Sequence, residues 1–243
     1  MYPGEKIFKS ECDITYLFQK PQQPCRYMLV IFSGFSLPGQ PPMYNYIRTL
    51  NSMNCYKLFI LDNYGPRGCY YLGCNKNFYV ASSAFYLISN LARGHNIRFQ
   101  NIITAGSSKG GYAALYFGFK YRFGHVVSGA PQTLLGDYLI GLRASLETAH
   151  FVSGGTDKSS WQFLNNILFE ATKTAKQAPN VYIQVGKEDH HLKEHVIPYI
   201  NLLSRQNLNC TLDLVNYGSH ADVAEYFPPY LISQLKTIIE SDG

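Results

Sequence analysis

Short apolar, β-branched runs alternate along this chain with longer amphipathic stretches. Asp13–Gln19 predicts an early strand. Tyr27–Phe32 predicts a strongly apolar one that ends in Ser33-Gly34-Phe35, and Tyr56–Leu61 another that runs into Asp62-Asn-Tyr-Gly65-Pro66. Helical periodicity follows over Phe78–Ala92, with Tyr86, Leu87 and Leu91 on one side. The run Asn101–Ala105 predicts a strand that feeds a glycine turn, and Tyr112–Phe119 continues as a helix. His125–Ser128 is the next strand, closing in Gly129-Ala130-Pro131. Tyr182–Val185 and Leu212–Val215 are later strands, with a helix around Val196–Leu203 between them and a last helix over Tyr230–Ile239. Strands alternating with helices predict an α/β fold in one domain over 1–243, with a mostly parallel sheet covered on both faces. The pattern loses regularity between Gln132 and Asn180, where Gly154-Gly155, a polar stretch at Asp157–Ser160 and Trp161 occur. Residues 133–180 read equally well as a helical insertion capping a pocket or as a crossover helix with long loops.

Composition narrows the class. The chain has 243 residues, 46% hydrophobic and 15% charged, enough for a full core and too few charges for disorder. The net charge of +5 is spread without a basic run, which argues against a nucleic-acid partner. No apolar run reaches the length of a membrane span, and Met1-Tyr-Pro-Gly-Glu-Lys6 has no basic region followed by an apolar stretch. The expectation is a cytoplasmic protein with no membrane span. The six cysteines form no metal or redox spacing, so six free thiols are expected.

The chemistry concentrates in Gly106-Ser107-Ser108-Lys109-Gly110, a G-x-S-x-G turn between a predicted strand and a helix. Only Ser108 has glycine at both flanking positions, so Ser108 is the candidate nucleophile. A serine hydroxyl needs a base to take its proton and a third group to hold that base. Past the strand at Val181–Val185, Gly186 precedes Glu188 and Asp189; Asp189 is the candidate acid, with Glu188 in reserve. Past the strand at Leu212–Val215, a short turn carries His220, the candidate base. His190 and His191 follow the acid directly, His125 begins a strand, and His95 and His150 read as polar-loop residues. The candidate oxyanion donors are the backbone N–H groups of Lys109 and of Phe35, with Gly34 allowing close backbone approach.

Other residues carry open alternatives. The Lys109 ammonium could serve a Ser-Lys dyad or bias the site toward anions, against a plain packed or solvated role. Arg67, Tyr70 and Tyr71 lie in a glycine- and aromatic-rich loop that could line a sugar or acyl subsite or could be purely structural. Gln132, past the next strand, is placed to face the same cleft. No metal motif or phosphate-binding loop occurs, so no metal and no cofactor are expected.

These residues resemble the α/β-hydrolase superfamily over roughly Tyr27 to the C-terminus: Ser108, Asp189 and His220 stand in its triad order, and Phe35 with Lys109 match its oxyanion hole. Asp62-Asn-Tyr-Gly-Pro-Arg-Gly68, Gly106-Ser-Ser-Lys-Gly-Gly111 and Gly129-Ala-Pro-Gln132 are similar to a bacterial subgroup. That subgroup is associated with capsular polysaccharide synthesis and accessory Sec secretion of serine-rich glycoproteins. The resemblance implies a serine esterase or O-acyltransferase acting on a small acyl ester or an acylated glycan. The chain departs from many relatives in carrying Ser33 where they have histidine. A second reading is a non-catalytic scaffold of the same fold that binds a secretion or biosynthesis partner. The oligomeric state is not legible.

Overall fold

A computed structural model describes residues 2–36 and 39–240. Eight strands form one sheet: β1 Lys6–Phe8, β2 Ile14–Gln19, β3 Met28–Phe32, β4 Tyr56–Ile60, β5 Ile102–Ser107, β6 His125–Gly129, β7 Asn180–Gly186 and β8 Cys210–Val215. Their order is β1-β2-β4-β3-β5-β6-β7-β8. The β1–β2 and β2–β4 pairs are antiparallel, and every later pair is parallel. The sequence pattern marks seven of these strands. It misses β1, a three-residue edge strand with too few positions to display an alternation.

Among the described residues six α-helices accompany the sheet: α1 Tyr79–Gly94, α2 Lys109–Tyr121, α3 Leu146–Ser153, α4 Lys158–Lys173, α5 Ile197–Arg205 and α6 Val223–Glu240. In α1 the buried side is Val80, Ala81, Ala84, Leu87, Ile88 and Ala92. Tyr86, grouped with Leu87 by periodicity, is instead solvent-exposed, because successive helical positions lie about 100° apart. His150, expected in a loop, lies within α3. The last helix begins at Val223, earlier than the expected Tyr230, and runs through Pro228 and Pro229. Proline is a breaker deep inside a helix because it lacks the N–H donor; close to the N-terminus the missing donors matter less.

The core sits under α2. Every residue of β3 and β5 is buried, as is every residue of α2 from Lys109 to Phe119. Gly110, Gly111, Ala113, Ala114 and Gly118 give this helix a narrow profile, so it lies close on β3, β5 and β6 while Leu115, Phe117 and Phe119 fill the space around it. Each such large apolar side chain contributes about 1.5–3 kcal/mol by leaving water. With the central strands parallel, the loops after β3, β4, β5, β6, β7 and β8 all emerge at one edge of the sheet, where ligands of open α/β sheets bind. All six cysteines are free thiols. No helix among the described residues is long and apolar enough to cross a membrane.

Candidate active site

Ser108 stands between β5 and α2 with φ 54° and ψ −117°, a left-handed backbone that is strained for a side-chain-bearing residue. The turn is tight enough to require its glycines. A Cβ on Gly106 would stand 2.5 Å from the Gly110 carbonyl carbon and 2.8 Å from the Phe32 oxygen. The Ser108 N–H donates to the Gly129 carbonyl at 2.8 Å, which ties the corner to β6.

The loops after β7 and β8 bring two further candidates to this corner. His220 Nε2 lies 3.0 Å from Ser108 Oγ, and His220 Nδ1 lies 3.0 Å from Asp189 Oδ2. The other Asp189 oxygen accepts the His191 N–H at 2.9 Å. Burial pushes the Asp189 carboxyl up, but the hydrogen bonds from His220 and His191 outweigh it and hold the group below its ordinary range. With Asp189 ionised, Nδ1 of His220 carries the proton and Nε2 is left to accept from Ser108. Glu188, the reserve acid, gives its N–H to the Tyr217 carbonyl, and Asp189 is the carboxylate that meets His220. A capping box sets the backbone at the base. Ser219 Oγ accepts the Ala221 N–H at 3.2 Å, and the Asp222 carboxylate accepts the Ser219 N–H at 3.2 Å.

No protein-family model matches the sequence, and no curated protein matches it. Among solved structures, the chain is similar to the capsule O-acetyltransferase of Neisseria meningitidis serogroup A. The identity is 24% and the TM-score 0.83, and a mutant of that protein in complex with CoA aligns over 96% of both chains. It is also similar to the Glycosylation Associate Protein (Gap123) complex from Streptococcus agalactiae, with 19% identity, TM-score 0.78, 96% of this chain and 46% of that chain. The Staphylococcus aureus fluorophosphonate-binding serine hydrolase FphF aligns over 97% of both chains at 14% identity and TM-score 0.72. The fold is that of the α/β-hydrolases.

The loop after β3 carries Phe35, the candidate oxyanion donor, beside Ser108. The Gly34 N–H is taken by Asn45 Oδ1 at 2.8 Å, which fixes the peptide before Phe35. A Cβ on Gly34 would meet only Asn45 Oδ1, at an ordinary 3.7 Å, so among the described residues nothing demands glycine there. The Phe35 ring lies under the Arg67 guanidinium, 4.0 Å from its centroid. Arg67 also donates to the Ser36 carbonyl from Nε at 2.9 Å and from Nη2 at 2.6 Å, and to the Ala144 carbonyl from Nη1 at 3.2 Å. Arg67 therefore ties the loop after β3 to the segment around Ala144. The Ser33 N–H donates to Tyr71 Oη at 2.6 Å, and Tyr71 donates to the Ile60 carbonyl at 2.9 Å.

Tyr70 and Tyr71 are 0% and 1% exposed, so neither offers a ring face to a sugar; the structural alternative holds for both. Tyr70 works through its hydroxyl, which donates to Gln132 Oε1 at 2.7 Å; Gln132 Nε2 then donates to Ser108 Oγ at 2.8 Å. Gln132 thus lies against Ser108, and its amide takes up a lone pair of the serine hydroxyl. The Lys109 ammonium points away from Ser108, and a Ser-Lys dyad is excluded by geometry. It meets Asp62 Oδ2 at 2.7 Å, with side chains 1% and 0% exposed, so it brings no net charge to the cleft either.

Sequence reasoning missed the histidines behind the base. The His191 ring packs on His220 with centroids 3.7 Å apart and a 32° tilt, and His195 stands 4.9 Å from His191. His191 Nδ1 donates to the Ala130 carbonyl at 3.0 Å. Burial, reinforced by His220, pulls its pKa down to about 3, and burial takes His195 down to about 4. Both are neutral at pH 7. The only available signal was the dense run Asp189-His190-His191, which reads as a crowded loop. Donor atoms of Asp189, His191 and His220 lie within 4.8 Å of one another. His220 already spends both ring nitrogens on Asp189 and Ser108, which suits a hydrogen-bonded relay better than a tetrahedral metal shell.

Proposed function

We propose that this protein is a serine-dependent acyl-transfer enzyme whose nucleophile is Ser108, base His220 and acid Asp189, and that it acts on a glycan hydroxyl. One observation carries the reading: Ser108 Oγ and Asp189 Oδ2 each lie 3.0 Å from opposite nitrogens of His220. That spacing suits transfer of the serine proton to a base held in one tautomer. Ser108 Oγ attacks the acyl carbonyl while His220 Nε2 takes its proton. The carbonyl oxygen becomes an oxyanion held by the Phe35 and Lys109 N–H groups. Collapse expels the donor's leaving group, which takes the proton from His220 and leaves acyl-Ser108. A sugar hydroxyl then gives its proton to His220 and attacks the ester, and Ser108 leaves with that proton. Likeness to a capsule O-acetyltransferase supports a polysaccharide acceptor and an acetyl group, and the mutant of that protein solved with CoA supports a thioester donor. We place the reaction in the cytoplasm, where such a donor is made, and read residues 133–180 as a cap over the acceptor side of the single domain.

The scaffold reading draws on the likeness to the Gap123 complex. It leaves the strained serine and its hydrogen-bonded base without a use. Labelling by a fluorophosphonate probe tests the choice. Wild type should label and Ser108→Ala should not; folded wild type that resists the probe overturns the acyl-serine mechanism. Faster p-nitrophenyl acetate turnover with a saccharide acceptor, together with an acetylated product, separates transfer from hydrolysis.

A further inference from the structure

The relay makes no use of the chain's single tryptophan. Trp161 sits on α4 and walls a cavity of about 290 Å³ together with Asp137, Gly141, Leu142, Glu194 and His195. We propose that this cavity is a saccharide subsite that takes a neutral sugar ring of the acceptor; this rests on the acyl-transfer reading above.

Three features give the cavity the chemistry of a sugar site. Trp161 is 37% exposed and held in one orientation: its indole N–H donates to Asp137 Oδ1 at 2.5 Å. Gly141 lies against the ring, where a Cβ would stand 3.1 Å from Trp161 Cζ2. A fixed indole is a platform on which the C–H face of a pyranose packs. Asp137 and Glu194 supply acceptors. Among the described residues, both side-chain bonds to Asp137, from Trp161 and from Asn165 at 2.8 Å, fall on Oδ1, so Oδ2 keeps its lone pairs for a hydroxyl. His195 supplies a donor. Its Nδ1 accepts the Leu134 N–H at 3.3 Å, so the neutral ring carries its proton on Nε2, which is buried with no partner among the described residues.

A buried N–H without an acceptor is unfavourable, and a sugar oxygen would relieve it. Two carboxylates disfavour an anionic ligand. The unpartnered N–H disfavours a cation, which the tryptophan and the carboxylates alone would accept. The position fits as well. His195 is one ring contact of 4.9 Å from His191, and His191 is 3.7 Å from His220, so the cavity flanks the base that must deprotonate the acceptor.

The lone tryptophan makes the test direct. Wild type and Ser108→Ala are titrated with maltotetraose, cellotetraose and chitotetraose, and with choline as a cationic probe, following Trp161 emission. A saturable change with at least one tetrasaccharide, equal in both proteins, is expected. Glu194→Gln, which keeps shape and removes charge, should weaken it about tenfold. Leu142→Arg, which lays a long side chain across the exposed mouth, should abolish it. Fluorophosphonate labelling without any saccharide response overturns the subsite and leaves the acyl mechanism standing. A saccharide response that survives both variants, or a response to choline alone, also overturns it.

Discussion

Replacing Lys109 by methionine tests how the loop after β4 supports the elbow. The Lys109–Asp62 pair is fully out of water at 2.7 Å, and Asp62 also accepts the Cys69 N–H at 3.0 and 3.1 Å. Methionine fills much of the lysine volume but leaves Asp62 as a buried carboxylate without a counter-ion. Breaking a buried pair from one side costs about 3–5 kcal/mol, a large part of the roughly 5–15 kcal/mol that holds a domain together. For a chain of this size the melting temperature should fall by about 6–20 °C. Removing both charges, in Lys109→Met with Asp62→Leu, leaves the Cys69 N–H and the Cys69 thiol without their acceptor, the buried amide costing about 1–3 kcal/mol. The double variant should therefore be no less stable than Lys109→Met alone. Urea unfolding followed by circular dichroism measures both variants against wild type. Single-variant costs that add within about 0.5 kcal/mol, or a deficit below about 1 kcal/mol, would refute the reasoning.

Two further outcomes are expected. Asp222→Ala removes the acceptor for the Ser219 N–H and should cost about 0.5–2 kcal/mol while lowering ester turnover, because His220 is the next residue; Asp222→Asn, which keeps an acceptor oxygen, should restore much of both. Wild-type stability should also fall in acid. His191 and His195 have folded-state pKa values of about 3 and 4, below the unfolded value near 6.5, so their contribution is complete above about pH 6.5 and is lost as pH falls toward 4, with Asp189 adding to the loss at the acid end. The two imidazoles give a slope of up to about 2.7 kcal/mol per pH unit near pH 5; a flat unfolding free energy between pH 7 and 5 would show that both protonate inside the fold.

The parts of the site legible in the sequence are those in which a residue is fixed by its own stretch of chain. Ser108 is announced by its two glycines, because a tight strand-to-helix corner leaves a local signature. Asp189 and His220 each follow an apolar strand and a short turn, so chain order placed them. What was not legible is what distant segments do to one another. Lys109 and Asp62 are 47 positions apart, and Tyr70 and Gln132 are 62 apart. No spacing rule links such pairs, so Lys109 stays open between a dyad, an anion-attracting charge and a packed or solvated role, and Tyr70 between a subsite and a structural loop, until burial is known. The closeness of His191 to Asp189 argues against His191 taking the serine proton; that same closeness lets its N–H donate to Asp189 and its ring pack on His220.

Ser108 and His220 meet across 112 positions, and His220 lies just beyond β8, an edge strand of the sheet. The partner that draws on the Ser108 proton therefore depends on that edge strand being docked. In a folding intermediate from which β8 has peeled away, Ser108 has no histidine beside it. Contacts of such long range are also slow to form, so on the acyl-transfer reading reactivity arises only once β8 has joined the sheet.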